Sequence, residues 1–225
     1  MKRYLVFGAA GSIGREVCSK LHQDGHFVIV CPKGITPTLQ GSLMDSVWNV
    51  ADRGEVQQYA DLYDQRGKVD GVVYCVGHCP PGGFPDAIKD PLSLLALDKY
   101  LSEVNMHQVG VLNVFQCMLK HLNDEGCFVF LSSAITRLKG QFPSFLQAHY
   151  HAGVIAAEDW LIDGMRADPT VQTHKIKIHR LAPVAVDTPF HYRGPKPSKL
   201  IPISEVVNEV VTALGSQVEV DKQIL

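Results

Sequence analysis

The 225-residue chain has no long apolar run and no large excess of charge of either sign. No stretch approaches the roughly 18 apolar residues that a membrane-spanning helix needs, so we expect no membrane anchor. The amino terminus lacks the pattern of a signal peptide, and a glycine-rich turn begins at residue 8, too early for a removable leader. A net charge of −2 provides no global attraction to nucleic acid or to a membrane surface. We therefore expect a cytoplasmic protein that binds neither.

The chain also lacks the cysteine pairs of a structural metal site. Its six cysteines lie mostly inside apolar runs, which is typical of reduced thiols in the core of a cytosolic protein. Cys75, His78 and Cys79 form one cluster, but a zinc site usually needs a fourth ligand and a second pair, and no matching pair follows. We therefore expect no metal. With 46% hydrophobic and 20% charged residues, the composition suits one domain over residues 1–225.

The most informative segment that is present lies at the start of the chain. Residues 4–7 are an apolar run too short for helical periodicity, which indicates a buried strand. The glycine-rich turn that follows allows bare backbone to approach a pyrophosphate, and the helix after it directs unpaired N–H groups and its positive dipole end at that anion. The candidate cofactor-binding residues of this turn are Gly8, Gly11, Ser12, Ile13 and Gly14.

Strands and helices alternate along the rest of the chain. Apolar runs predict further strands over residues 27–30, 71–76, 127–131, 176–181 and 218–220. Helical spacing of apolar residues predicts helices over residues 13–25, 52–67, 94–122, 145–166 and 204–214, and Asp52 is expected to cap the second of these with Glu55 as its reciprocal partner. This order predicts an α/β fold: a single doubly wound, Rossmann-type domain whose parallel sheet is covered by helices on both faces.

These landmarks, in this order, resemble the short-chain dehydrogenase/reductase family over nearly the whole chain. The glycine turn matches the family's cofactor motif in a variant spacing, and Asn49-Val50 resembles the polar–Val pair that meets the adenine ring. Gly77 is the one residue kept from the family's N-N-A-G strand end. Residues 182–189 are similar to the P-G-x-V-x-T-P run beside the nicotinamide. The resemblance therefore adds Asn49, Val50, Gly77, Pro183, Val186 and Thr188 to the cofactor-binding residues.

The resemblance also supplies candidate catalytic residues. Asn105, with Gly110 after it, matches the helix segment that bears the family's catalytic asparagine, and Tyr150 begins its Y-x-A-x-K motif. Ser132 and Ser133 lie at the strand end that carries the substrate-binding serine, and of the two we choose Ser133. The family's chemistry implies an oxidoreductase that moves hydride between a nicotinamide and a carbonyl or alcohol. In it Ser133 polarises the carbonyl, Tyr150 transfers the proton and Asn105 helps to hold a relay water.

Several residues depart from the family pattern. The family's lysine, four residues after the tyrosine, is Val154 here, and the glycine after Pro183 is Val184. The stretch between Ser133 and Tyr150 is longer than usual, and its Lys139 is our best candidate for a replacement cation. Two alternatives to redox catalysis therefore stay open: a catalytically silent dinucleotide-binding or scaffold protein, and a non-redox dehydratase or isomerase that uses Tyr150.

The resemblance extends to cofactor, substrate and assembly. Where NAD-specific members carry an acid, this chain has Pro32 followed by Lys33, which favours the 2′-phosphate of NADP and leaves NAD as the alternative. A short substrate loop at about residues 188–202 is basic, which indicates either an anionic substrate or contacts with the cofactor phosphates. Members of the family usually pair through the two long helices, so a homodimer or homotetramer is implied.

Overall fold

Seven parallel strands form one sheet in the computed structural model, which describes residues 1–31, 43–44, 49–77, 97–136, 146–188 and 200–225. The sheet order is β3-β2-β1-β4-β5-β6-β7, so the winding direction reverses between β1 and β4. The predicted doubly wound parallel sheet is confirmed. Such a reversal opens a crevice at the carboxyl edge of the sheet, where α/β proteins bind ligands. The strands are Arg3–Phe7 (β1), Phe27–Cys31 (β2), Leu43–Met44 (β3), Val69–Tyr74 (β4), Leu122–Leu131 (β5), Lys177–Pro183 (β6) and Asp221–Ile224 (β7).

Helices cover both faces of this sheet and bury one apolar cluster against each. The described helices are Ser12–Gln23 (α1), Arg53–Asp61 (α2), Tyr63–Arg66 (α3), Leu97–Val104 (α4), Gly110–Met118 (α5), Leu146–Arg166 (α6), Pro169–Thr173 (α7) and Ile203–Gly215 (α8). Val17 of α1 and Val210 of α8 belong to the cluster on one face, whereas Val56 of α2, Val111 of α5 and Ile162 of α6 belong to the other. None of the described helices is both long and apolar enough to cross a membrane.

The helix predicted over residues 94–122 is interrupted. Between α4 and α5, residues Asn105–Val109 form one π-helical turn, which we call the π segment, and Leu119–His121 form a 3-10 turn before β5. Residues 94–96 lie outside the part of the chain that the structure describes. The helix predicted over residues 145–166 is present as α6 from its second residue onward.

The last strand was predicted at the wrong place. The apolar alternation of residues 218–220 favoured a strand there, but β7 is Asp221–Ile224, in which only Ile224 is buried. Charge pairing sets its register, because Asp221 lies opposite Arg180 of β6 and accepts a hydrogen bond from it. The two-residue strand β3 was not predicted at all.

The cap predicted for α2 is confirmed in one half only. The amide of Glu55 donates to Asp52 Oδ1 at 3.1 Å, as an N-cap requires. The Glu55 carboxylate does not accept from the amide of Asp52, as the reciprocal half of the cap requires; it accepts from the amide of Asn49 at 2.6 Å. Gly67, with φ +80°, ends α3, so the predicted helix is divided at Leu62 into α2 and α3.

Candidate functional site

The turn between β1 and α1 has no room for side chains at two of its glycines. Gly8 has φ +79°, and a Cβ on it would lie 2.6 Å from the carbonyl oxygen of Cys75 at the end of β4. A Cβ on Gly14 would collide with the carbonyl oxygen of Gly8. The amide of Gly11 donates to that same oxygen at 2.9 Å. The first turn of α1 therefore packs directly on the backbone of the strand end, which only glycine permits.

The amino end of α1 has no capping side chain of its own. Gly11 is its N-cap and supplies no side-chain cap, and the first turn contains no acidic residue. Helical bonding begins with the amide of Arg15, which donates to Gly11 O at 2.9 Å, so the amides of Ser12, Ile13 and Gly14 lie ahead of the ladder. Bare amides at the positive end of a helix, beside a glycine turn, fit a dinucleotide pyrophosphate.

Asn49 and Val50 lie in a turn that two helices hold. Val50 is buried, and its carbonyl oxygen accepts a hydrogen bond from Asn113 Nδ2 of α5 at 3.0 Å. The amide of Ala51 donates to Asn49 Oδ1 at 3.2 Å, and the Asn49 amide is bonded to Glu55 of α2. The turn is thus fixed before any ligand arrives.

The two serines that follow β5 have different partners. Ser132 is buried, and its hydroxyl donates to Asp159 Oδ1 of α6 at 3.0 Å. Ser133 is half-buried, and its hydroxyl oxygen accepts from the amide of Ile135 at 3.3 Å. The donor hydrogen of Ser132 is therefore committed to Asp159, whereas the O–H hydrogen of Ser133 has no acceptor among the described residues and could be donated to a ligand.

Asn105 and Tyr150 lie on neighbouring helical segments. Asn105 is exposed and is the first residue of the π segment, which packs against α6. Tyr150 lies near the start of α6, four residues before Val154. Val154 is 1% exposed, and its carbonyl oxygen accepts from Gln108 Nε2 of the π segment at 3.4 Å.

A buried acid–histidine pair joins the π segment to α6. His107 Nδ1 lies 3.0 Å from Glu158 Oε2, and Glu158 is fully buried. Burial lowers the pKa of His107, but the hydrogen bond and the negative charge of Glu158 outweigh it, so that this pKa is raised. Burial also raises the pKa of Glu158, against the opposing effect of His107. Both shifts favour a proton held between the two side chains.

The residues after β6 hold both ends of the predicted substrate loop. Pro183 ends the strand, and Val186 forms a parallel bridge with Ile201. The amide of Asp187 donates to Ile201 O at 2.8 Å, and Val186 and Thr188 are both buried. Residues 189–199, which carry the basic side chains of this loop, lie outside the described part of the chain.

The carboxyl ends of β1, β4, β5 and β6 bring four groups of predicted residues to one edge of the sheet. They are the glycine turn, Gly77, the two serines and the Pro183–Thr188 region. Gly77 is exposed, and a Cβ on it would meet nothing within 4 Å, so space alone does not require glycine there. Of the residues discussed above, the following lie outside the described part of the chain: Pro32, Lys33, His78, Cys79 and Lys139.

Sequence reasoning missed three side chains that organise this edge. They are Tyr74, whose hydroxyl donates to Met106 O at 2.5 Å, and the pair His107 and Glu158. Nothing in the apolar periodicity marks the π segment. A histidine and a glutamate at buried helical positions were the only available signal, and they are far apart in sequence.

Comparison with known proteins identifies relatives of the whole chain. A family model described as short chain dehydrogenase matches residues 2–196. A search of curated protein sequences finds no match. A short-chain dehydrogenase/reductase from Serratia marcescens superposes with a TM-score of 0.79 at 19% identity, over 99% of this chain and 96% of its own.

Two further solved structures share the fold. A short chain dehydrogenase from Burkholderia cenocepacia, solved in complex with NADP, has a TM-score of 0.76 at 19% identity, over 98% of this chain and 87% of its own. A protein from Listeria innocua has a TM-score of 0.72 at 20% identity, with 100% of both chains covered. These identities are too low to carry more than the fold.

Proposed function

Because the chain belongs to the short-chain dehydrogenase family, we propose that it is an oxidoreductase that acts on a carbonyl or alcohol group of a small molecule. NADP(H) is its preferred cofactor. The observation that carries this proposal is the cradle at the start of α1, where Gly8 and Gly14 exclude side chains and the amides of Ser12 and Ile13 precede the helical ladder. The complex of the Burkholderia cenocepacia relative with NADP supports the choice of cofactor class.

Cofactor binding is the first test, by fluorescence titration with NADPH and, separately, NADH. We expect NADPH to bind more tightly, because Pro32 replaces the acid of NAD-specific members and Lys33, the next residue, can contact a 2′-phosphate. A Lys33→Ala variant should lose the preference for NADPH but retain binding, whereas Lys68→Ala, before β4, serves as a control for removing a cation. Preference for NADH in the unaltered protein contradicts the role of Lys33. Binding of neither cofactor at millimolar concentration refutes the oxidoreductase proposal.

The proposed chemistry divides between cofactor and chain. A bound nicotinamide supplies or accepts the hydride. Ser133 donates a hydrogen bond to the substrate oxygen, Tyr150 gives or takes the proton at that oxygen, and Asn105 holds a relay water. The basic segment at residues 189–199 favours an anionic substrate. Positioned proton transfer of this kind contributes about 10²–10⁴-fold to a rate.

The two serines provide a matched test of this assignment. Ser133→Ala removes the hydroxyl whose hydrogen is available, so we expect kcat to fall about 100-fold with NADPH affinity unchanged. Ser132→Ala breaks the bond to Asp159, so we expect it to cost about 1 kcal/mol of stability and to leave kcat nearly unaltered. Steady-state kinetics measure kcat and urea unfolding measures the stability of both variants. A large loss of kcat in Ser132→Ala but not in Ser133→Ala would assign the substrate contact to Ser132.

One specific observation favours a second candidate, a catalytically silent dinucleotide-binding protein or a non-redox enzyme. Val154 occupies the position of the family's lysine, and it has neither an ammonium group to bond a ribose hydroxyl nor a charge to stabilise tyrosinate. A free tyrosine is ionised in only about one molecule in a thousand at pH 7. The missing cation therefore reduces the rate or abolishes it.

The Val154→Lys variant separates these candidates. If Tyr150 is the proton-transfer group of a redox site, the added ammonium should raise turnover of NADPH with a carbonyl panel by a large factor, with Val154→Met as a control for added length. An unaltered and immeasurable turnover in both variants favours the silent candidate. Product formed without any change at the nicotinamide identifies the non-redox one.

The proposed assembly is a homodimer or homotetramer that pairs through α4, α5 and α6. Among the described side chains of these helices, three large hydrophobic ones are exposed to solvent: Trp160 at 81%, Leu101 at 44% and Tyr100 at 41%. Pairing of the helices would remove such side chains from water, which stabilises an interface. Sedimentation of Trp160→Glu against the unaltered protein is the test, and we expect the variant to shift toward the monomer. An unaltered sedimentation coefficient contradicts this placement of the interface.

A further inference from the structure

The π segment has a hydrogen-bond requirement that a regular helix does not. A π turn shifts the bonding pattern and leaves a carbonyl without its usual helical partner. Here the carbonyl oxygen of Met106 accepts from the hydroxyl of Tyr74 at 2.5 Å. Tyr74 is the last residue of β4 and is fully buried, so a core side chain rather than water satisfies the π segment.

The space around the Tyr74–Met106 contact leaves no room for a side chain at Gly110. A Cβ on Gly110, the residue directly after the π segment, would lie 2.5 Å from the Tyr74 hydroxyl and 2.8 Å from Cγ2 of Val50. Gly110 thus lets the hydroxyl reach Met106. Burial, and next the charge of Glu158, raise the pKa of Tyr74 well above its usual value, so its hydroxyl remains a donor throughout the working pH range.

A second contact holds the same segment against α6. His107, the next residue after Met106, is paired with Glu158 of α6 at 3.0 Å. The His107 ring also lies edge-on to that of His151, with centroids 5.7 Å apart, and His151 Nδ1 lies 3.0 Å from Glu103 of α4. The π segment is therefore attached to β4 by one residue and to α6 by the next.

We infer that Tyr74 and the His107–Glu158 pair are positioning residues, which fix the π segment and so place Asn105, at its first residue, relative to the helix that carries Tyr150. This inference rests on the proposed function, since Asn105 and Tyr150 have catalytic roles only there. The geometry ties both catalytic segments to a single buried set of contacts. A change in that set therefore alters their relative placement without touching the cofactor cradle.

The test compares two buried tyrosines. Tyr74→Phe removes the hydroxyl bonded to Met106, while Tyr63→Phe removes a hydroxyl that lies 3.1 Å from that of Tyr59 and is equally buried. Tyr63 belongs to α3, which precedes β4 and so lies toward the opposite edge of the sheet. We expect hydrogen exchange over residues 105–110 to be faster in Tyr74→Phe alone. We also expect its kcat to fall about tenfold, while NADPH affinity stays within about twofold.

Glu158 supplies an independent variant in case Tyr74→Phe fails to fold. Glu158→Gln keeps an acceptor for His107 Nδ1–H, whereas Glu158→Leu removes it. We expect the first to retain kcat within about threefold and the second to lose about tenfold, with matching changes in exchange over the π segment. Rescue by the conservative side chain is a result that loss of packing alone does not produce.

The outcomes separate the inference from the function on which it rests. Equal exchange over residues 105–110 in Tyr74→Phe and Tyr63→Phe overturns the inference, whatever the activity. Faster exchange with unaltered kcat also overturns it, because the π segment then moves without consequence. An unaltered protein that turns over no carbonyl with either cofactor refutes the proposed function, and the exchange comparison alone then decides whether Tyr74 holds the π segment.

Discussion

Acidification should destabilise this protein through one buried histidine. His179 lies on β6 and is fully buried. Its Nδ1 accepts a hydrogen bond from the amide of Val220 at 3.0 Å, so the ring proton is on Nε2, which has no partner among the described residues. A second proton at Nδ1 would face the N–H group of Val220, break that bond and place a cation in the core. Protonation of this ring therefore destabilises the folded structure.

The magnitude follows from the pKa. Burial, and next the positive charges of Arg166 and Lys177, lower the pKa of His179 from 6.5 to about 4. His179 therefore binds a proton below about pH 6.5 in the unfolded chain but only below about pH 4 in the folded chain. Stability attributable to this residue is full above pH 6.5 and falls as the pH is lowered, by about 2 kcal/mol at pH 5 and about 3 kcal/mol at pH 4.

The assay is urea unfolding at several pH values between 4 and 7, for the unaltered protein and for His179→Asn. The asparagine oxygen replaces Nδ1 as an acceptor for Val220 and does not titrate in this range. We expect the free energy of unfolding of the variant to be lower at pH 7, because the side chain is smaller, but to decline less toward pH 4. The exposed His22→Asn is the control and should keep the original pH dependence. Parallel curves for His179→Asn and the unaltered protein would refute the reasoning.

Two further changes test the glycine turn and the last strand. Gly14→Ala places a methyl group against the Gly8 carbonyl oxygen, so we expect it to cost about 1–3 kcal/mol in urea unfolding and to weaken NADPH binding. Gly164 lies within α6, and a Cβ on it would meet nothing within 4 Å, so Gly164→Ala should stabilise the protein instead. Asp221→Asn removes the charge that pairs with the buried Arg180, and we expect a loss of about 1–3 kcal/mol in the same assay. Stability unaltered by Asp221→Asn contradicts the role of this pair in holding β7.

The glycine turn between β1 and α1 was predictable because its conformational requirements are local. A tight turn after a buried strand, with a helix packed directly on it, demands glycine at fixed positions, and the sequence shows Gly8 and Gly14 there. The N-cap at Asp52 follows from an equally local rule. The matching prediction for Glu55 was wrong because its carboxylate accepts from the amide of Asn49, in the preceding turn, instead of the amide of Asp52. No spacing rule says which of these two amides the carboxylate binds.

The placement of the proposed catalytic residues was less predictable because it depends on contacts between distant residues. Alternation along a strand says that Ser132 and Ser133 face opposite ways, but only the bond from Ser132 to Asp159 shows which hydroxyl is committed. The π segment likewise needs Tyr74, from another strand, to satisfy its backbone. Periodicity alone therefore predicts a continuous helix through Asn105.

A buried polar pair lies between the π segment and α6, and burying it has an energetic cost. Glu158 is fully buried, and its Oε1 has no hydrogen-bond partner among the described residues. An apolar residue of similar size in place of a buried ionisable pair is often neutral or stabilising, so fold stability alone does not explain why this chain has His107 and Glu158 there. The pair lies between the segments that carry Asn105 and Tyr150, beside the edge where the glycine turn ends β1. Because departures from stable packing are expected at functional sites, the same edge is selected by the polarity of the core and by the shape of the cofactor cradle.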